Sequence, residues 1–107
     1  MSNMKAARAR AYFAQSGRCV YCNAPTWLTD PEKFARGHGL ARNRVRLFQA
    51  TAEHLVAQQD GGCGGDNIAM ACWLCNHRRH ARKGQAPTPD AYHALVRRRV
   101  AQGRWRT

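Results

Sequence analysis

The sequence predicts a small α+β domain held by a metal staple, and three observations predict it. Four of the five cysteines form two C-x-x-C pairs, Cys19 with Cys22 and Cys72 with Cys75. Residues 51–84 read as strand, glycine-rich turn, strand and helix, with polar groups at each junction. Helix-forming segments flank this stretch on both sides, an alanine-rich one at 4–16 and a capped one at 89–102. At 107 residues a single domain over 1–107 is expected, with its core at about 18–84. Two stretches, 30–46 and 58–67, carry few large apolar side chains, so the apolar core is modest and a metal staple would support it.

In chain order, the first element is the helix over 4–16. Ala7, Ala11 and Ala14 with Phe13 form its apolar side, Lys5, Arg8 and Arg10 are basic, and Gly17 is a stop. The helix packs on the core, lies along a phosphate backbone, or does both. Cys19 and Cys22 then hold two thiolates on one turn, within reach of one tetrahedral zinc shared with Cys72 and Cys75. Such a closed structural site leaves no position for chemistry. Two disulfides are the alternative for these four residues, and Cys63 is left over.

Pro25, Pro31, Gly37 and Gly39 punctuate residues 23–41. The run from Thr29 to Glu32 opens a short helical turn through Phe34, Trp27 is placed over the zinc knuckle, and His38 reads as solvated. Arg42, Arg44 and Arg46 alternate with Asn43, Val45 and Leu47, the period of a strand with one basic face. Phe48 and Ala50 break that alternation, which places a bend or a strand start there before the strand runs on through Leu55.

Residues 58–66 are a loop by composition, and their glycines match no phosphate-binding fingerprint. Ile68 to Ala71 form a second short strand. A helix follows Cys75 through about Arg82, ended by Lys83-Gly84 and Pro87, with Asn76 and His80 four apart on one face. Thr88 caps the last helix and Pro89 is its first residue; Tyr92, Leu95, Val96 and Val100 make its apolar face. Trp105, between two arginines, packs on the domain or stacks on a base.

Charge narrows the partner. Eighteen Lys+Arg stand against six Asp+Glu, a formal net charge of +12 with pI near 10.8. Arginine dominates, and its guanidinium grips phosphate in a bidentate fork. A domain this basic fits DNA, and the candidate contacts are Arg44, Arg46, Arg78, Arg79, Lys83, Arg97 and Arg98. No helix-turn-helix or finger module is evident, so phosphate contact with weak sequence preference and strong salt dependence is expected. The N-terminal residues carry no apolar signal region and no run is long enough to span a bilayer, so no membrane partner is expected. Four paired cysteines read as ligands suit a reducing compartment, the cytoplasm of a bacterial or phage-infected cell.

Residues Glu53, His54 and Asn76 carry the chemistry. Phosphodiester hydrolysis needs an activated water, neutralised phosphate charge and a stabilised leaving oxygen. An imidazole such as His54 can serve as general base. Glu53 and Asn76 are hard oxygen ligands suited to Mg²⁺ (or Mn²⁺), which acts as a Lewis acid and would not compete for zinc with thiolates.

The pieces Glu53-His54-Leu55-Val56, the glycine-rich turn, Asn67-Ile68 and Cys72-x-x-Cys75-Asn76 with Lys83-Gly84 together resemble the HNH endonuclease family, the ββα-metal nucleases. Cys19-x-x-Cys22 is similar to the knuckle of the family's zinc-binding members. The resemblance covers roughly residues 18–84, and Asn76 in the last position makes it the H-N-N variety. It implies that His54 activates water, that Asn67 ties down the loop and orients the base, and that Asn76 is a metal ligand. Glu53 falls where the family usually has Asp, one methylene longer. His80 touches the metal or scissile phosphate, or is basic surface; His77 lies outside the site. The expected function is metal-dependent DNA cleavage, nicking by a monomer, with double-strand breaks needing a homodimer. The alternatives are a non-catalytic zinc-containing nucleic-acid-binding module and a zinc protein that meets an acidic protein partner.

Overall fold

Two strands, β1 (Ala50–His54) and β2 (Ile68–Cys72), pair antiparallel in the register Ala50↔Cys72 to His54↔Ile68. The computed structural model describes residues 3–56, 67–81 and 83–107. The loop expected at 58–66, with Cys63, and the expected helix end at Arg82 lie outside the described residues. Because strand side chains alternate, Thr51 and Glu53 share one sheet face with Ala71 and Ala69, and Ala52 and His54 share the other with Met70 and Ile68. Helix α3 (Trp73–His80) follows β2 with no linker; Cys72 is both the last strand residue and the helix N-cap. Asn76 Nδ2 donates to Thr51 Oγ1 at 3.0 Å, which lays α3 over the Thr51/Glu53 face. The order strand, strand, helix expected for residues 51–84 is present, within an α+β chain. The helices before and after it are α1 (Met4–Ala14), α2 (Pro31–His38) and α4 (Pro89–Ala101).

Helix α1 is capped by Asn3, whose Oδ1 accepts from Ala6 N–H at 3.1 Å, and it packs against both strands. It ends two residues short of the expected limit because Ser16 and Gly17 turn the chain at φ of 55° and 73°. The φ of 73° favours glycine at Gly17, and a Cβ there would also crowd the Tyr12 ring at 3.3 Å. Gln15 lies just past the helix. Its amide nitrogen donates to Met70 O at 2.8 Å and its amide oxygen accepts from Met70 N–H at 2.9 Å.

Two expectations are corrected. Helix α2 runs to His38 and is not a single turn ending at Phe34. Asp30 caps Lys33 N–H at 3.0 Å, Pro31 opens the helix, and Gly39 at φ 62° closes it, so Gly37 is tolerated inside the last turn. The basic strand expected from Arg42 is a 3₁₀-helix over Arg42–Phe48. Arg44 N–H bonds back to Ala41 O at 3.0 Å and Gln49 N–H to Arg46 O at 3.1 Å, while Val45 O accepts from Trp27 Nε1 at 2.8 Å. Local turns and a tryptophan take the backbone groups that a neighbouring strand would otherwise pair. The chain then straightens into β1 at Ala50, near the break in alternation.

Helix α4 begins as expected: Thr88 Oγ1 accepts from Ala91 N–H at 3.2 Å and Pro89 is its first residue. Its buried residues are Tyr92 and Val96. Full burial of Val96 contributes about 1.5–3 kcal/mol. Trp105 packs on the domain, edge-to-face with Tyr92 at 6.1 Å between ring centroids. No helix among the described residues is long and apolar enough to cross a membrane.

Candidate functional site

Helix α3 serves two clusters. At its start, Cys72 and Cys75 meet Cys19 and Cys22 from the loop after α1. The four sulfurs are buried and lie within 4.8 Å of one another. Cys22 Sγ and Cys72 Sγ are 3.8 Å apart, too far for a disulfide, whose sulfurs lie about 2 Å apart. All four are free thiols. Tetrahedral zinc with bonds of about 2.3 Å requires sulfurs about 3.8 Å apart, so the donor set fits zinc in type, number and spacing. Backbone and side-chain donors already aim at the sulfurs: Tyr21 N–H at Cys19 Sγ (3.4 Å), Cys75 N–H at Cys72 Sγ (3.4 Å) and Trp105 Nε1 at Cys75 Sγ (3.2 Å). Hydrogen bonding from its neighbours, Cys19 first, pushes Cys22 well below the usual thiol range. Cys72 and Cys75 are pushed up, first by the bond to Cys19. Four crowded thiols cannot all ionise without a cation among them. The aromatic that reaches the sulfurs is Trp105; Trp27, placed there from the sequence, donates instead to Val45 O.

The second cluster sits where α3 crosses β1. Glu53 is fully buried. Its Oε1 lies 2.8 Å from His80 Nε2 and 3.3 Å from Arg79 Nη1, whereas Oε2 is buried with no hydrogen-bond partner. Tyr21 Oη is likewise buried and unpartnered, and burial, then the Glu53 charge, pushes this phenol up. The Tyr21 phenol interacts with the Glu53 carboxylate, and its O–H is the donor nearest in chemistry to the unpaired Oε2. Asn76 commits its Nδ2 to Thr51 Oγ1 and to Ala52 O at 3.1 Å, so Oδ1 is the atom it leaves over. A pocket of about 280 Å³ opens beside these groups, lined by Thr51, Trp73, Asn76, His77, His80 and Ala81.

No protein-family model, no curated protein and no solved structure matches this chain.

The other expected site residues are placed as follows. Asn67 clamps the end of β1: its Oδ1 accepts from Val56 N–H at 2.8 Å and its Nδ2 donates to Val56 O at 2.7 Å. The His54 carbonyl accepts from Arg79 Nη1 at 3.0 Å. Strand alternation turns the His54 ring to the sheet face opposite Glu53, and no hydrogen bond joins it to Glu53, Asn76 or His80 among the described residues. His77, expected outside the site, stacks on Trp73 at 4.5 Å and lines the same pocket as Asn76 and His80. Trp73, Asn76, His77 and His80 form one helical stripe; the sequence places Asn76 with His80 on it, and the spacing of Trp73 and His77 is the signal that adds the other two.

Arg79 is a correction. Expected on a phosphate-facing surface, it is 4% exposed, and its guanidinium also donates to Leu55 O at 3.1 Å and Pro87 O at 2.8 Å. Arg79 lies four residues after the buried ligand Cys75 and so on its face, which places the guanidinium inside. Arg78 lies over the Trp105 ring and donates to Trp105 O, so it pins the C-terminal tail. Arg44 is exposed and donates to Arg106 O at 2.7 Å. Arg46 is exposed with its guanidinium 4.9 Å over Trp73, beside the pocket. Lys83, Arg97 and Arg98 are exposed.

Proposed function

We propose that this chain is a divalent-metal-dependent endonuclease that hydrolyses DNA phosphodiester bonds, of the HNH (ββα-metal, H-N-N) type, on a fold stapled by one zinc at Cys19, Cys22, Cys72 and Cys75. The observation that carries the reading is the convergence of Glu53, Asn76 and His80 beside one pocket, at the crossing of a β1–β2 pair and the helix that follows it.

In this reading Glu53 Oε2 and Asn76 Oδ1 would hold Mg²⁺ or Mn²⁺, with water and phosphate filling the remaining positions. The ion, when bound, neutralises phosphate charge and stabilises the leaving oxygen. His54, at the β1 end, would have to turn its ring from the opposite sheet face to take the proton from the attacking water. His80 fixes the Glu53 carboxylate. Arg79 and Asn67 hold the backbone from His54 to Val56, so the base is presented by a rigid strand end. Arg46, next to Trp73, Lys83, Arg97 and Arg98 supply exposed charge for phosphates without reading sequence. The Arg79 charge already balances Glu53, so ion binding is weak without DNA and strengthens with it.

That same balance favours the second reading, a non-catalytic zinc-containing nucleic-acid-binding module. A carboxylate fully buried against its own guanidinium can serve as a structural ion pair. A supercoiled-plasmid assay with Mg²⁺, Mn²⁺ or EDTA separates the two, using wild type, His54→Ala and Asn76→Ala, each checked for zinc and fold. The nuclease reading expects nicking that depends on the added ion and falls by about 10²-fold or more in His54→Ala. Salt-sensitive DNA binding with no nicking in any ion would establish the module. Equal cleavage by wild type and both variants would mark a contaminant.

A further inference from the structure

We propose that the chain carries a second nucleotide-binding pocket, separate from the Glu53 cluster and independent of any catalysis there. It is a cavity of about 520 Å³, within the range of small-molecule sites, between the Cys22 knuckle, the end of α2, and α4 with the tail behind it. Its walls divide by chemistry. Phe34, Leu40 and Phe48 are apolar, with Phe34 and Phe48 ring centroids 5.9 Å apart. His38 packs its ring on Phe34 at 4.2 Å between centroids, tilted by 38°, and adds a third ring to this wall. Arg97 and Arg106 bring two guanidinium groups, and no acidic side chain among the described residues lines the cavity.

Neither cation is spent. Arg97 is exposed, with no ion-pair partner among the described residues. Arg106 Nη1 is buried with no hydrogen-bond partner, and its guanidinium lies 5.9 Å over Phe48. The tail that carries Arg106 is fixed by Arg44 on its own carbonyl and by Arg78 on Trp105 O, so the unpaired donor is held in place. Nη1 is closed to solvent, so the part of the Arg106 guanidinium that lines the cavity is what would meet a phosphate oxygen, the acceptor a guanidinium fits best. Aromatic rings beside two arginines are the surface on which a base stacks while its phosphate is held. The ligand class is therefore a nucleotide, with one phosphate at the arginines and the base against Phe34 and His38.

The test is an amide-resonance titration of the zinc-loaded chain at fixed salt with no added Mg²⁺, so that no cleavage is required. The probes are 5′-dAMP, deoxyadenosine, inorganic phosphate, and a thymidine tetranucleotide with and without a 5′-phosphate. The Leu40 and Phe48 amides should shift with dAMP at lower concentration than with phosphate or deoxyadenosine. Tighter binding of the tetranucleotides than of dAMP assigns the pocket to a nucleotide within a strand; the reverse assigns it to a free nucleotide. Arg97→Glu and Arg106→Gln should each weaken binding by about tenfold or more, as expected for loss of a charge-assisted contact. Arg99→Glu makes the same charge change two residues along α4, about 200° round the helix and outside the cavity, and should leave binding within about twofold. Equal loss in Arg99→Glu would reduce the effect to general electrostatics and overturn the proposal. So would phosphate alone binding as well as dAMP, or no shift at Leu40 and Phe48.

Discussion

The sulfur cluster and the Glu53 cluster share a helix yet solve opposite problems. Both bury acidic groups against α3. Around Glu53 the chain supplies its own cation, Arg79, and an imidazole on the same oxygen. Around Cys19, Cys22, Cys72 and Cys75 the chain supplies no cation, only N–H donors aimed at sulfur. A buried anionic set that brings its counter-charge can fold by itself. One that does not gains stability from any ion it recruits. A metal at the sulfurs would thus be a matter of stability, and one near Glu53 a matter of chemistry.

The largest expected effect is at the sulfurs. Cys72→Ser, or stripping of zinc, should abolish cooperative thermal unfolding, because zinc on such a site is worth about 10–16 kcal/mol against a domain stability of about 5–15. Circular dichroism alongside a colorimetric zinc-release assay reads this. Zinc should leave as pH falls, since protons compete for the thiolates. A folded, zinc-free chain with native dispersion would erase the contrast.

Arg79→Ala comes next. It strands a buried carboxylate and three backbone carbonyls, and should lose about 3–5 kcal/mol in urea denaturation with zinc retained. Glu53→Gln should lose less, because the amide keeps the shape and can still bond His80. If Arg79→Ala were nearly neutral, the idea of an internal counter-charge would be falsified. Asn67→Ala removes two bonds to the Val56 backbone and should cost about 1–2 kcal/mol, with faster hydrogen exchange at the Val56 amide.

The smallest effect concerns the two tyrosines that join the clusters. Tyr92 Oη donates to Cys75 O at 2.6 Å, and its ring packs edge-on against Tyr21 at 4.8 Å. Burial, then the Cys75 charge, pushes the Tyr92 phenol up. An unfolded tyrosine ionises near pH 10. The folded phenols ionise higher, so their stabilisation is complete below about pH 10 and is lost as pH rises beyond it. Tyr92→Phe should cost about 1 kcal/mol at neutral pH and fall less steeply than wild type above pH 10, measured by denaturation across the alkaline range.

Caps and stops made most helices legible: Thr88-Pro89 for α4, and Gly17 close behind α1. The β2–α3 junction lies earlier than expected: the helix predicted after Cys75 begins at Trp73, because the Cys72 side chain accepts from Cys75 N–H and caps it. The stretch from Arg42 was not legible, because its alternation has the period of a strand, whereas in a 3₁₀-helix of three residues per turn those arginines point to all sides. What separates them is Trp27 reaching Val45 O, a contact that local sequence does not encode. At the site, the adjacency of Glu53 with His80 followed from the position of His80 on the face of Asn76. The burial of Arg79 was not legible from charge, which marks a guanidinium as surface, whereas its place four residues after Cys75 turns it inward. The stack of His77 on Trp73 depends on their shared helical face, which neither residue shows alone.

Gln15 has a consequence beyond the end of α1. A two-stranded sheet has two open borders, and an open border invites another chain to add to it. Met70 is the middle residue of β2, and both its outward main-chain groups are occupied by the Gln15 amide, with Val20 N–H sharing the carbonyl at 3.0 Å. A side chain and one backbone N–H thereby stand where a third strand would pair. At Met70 this border has no free main-chain group to offer an incoming strand.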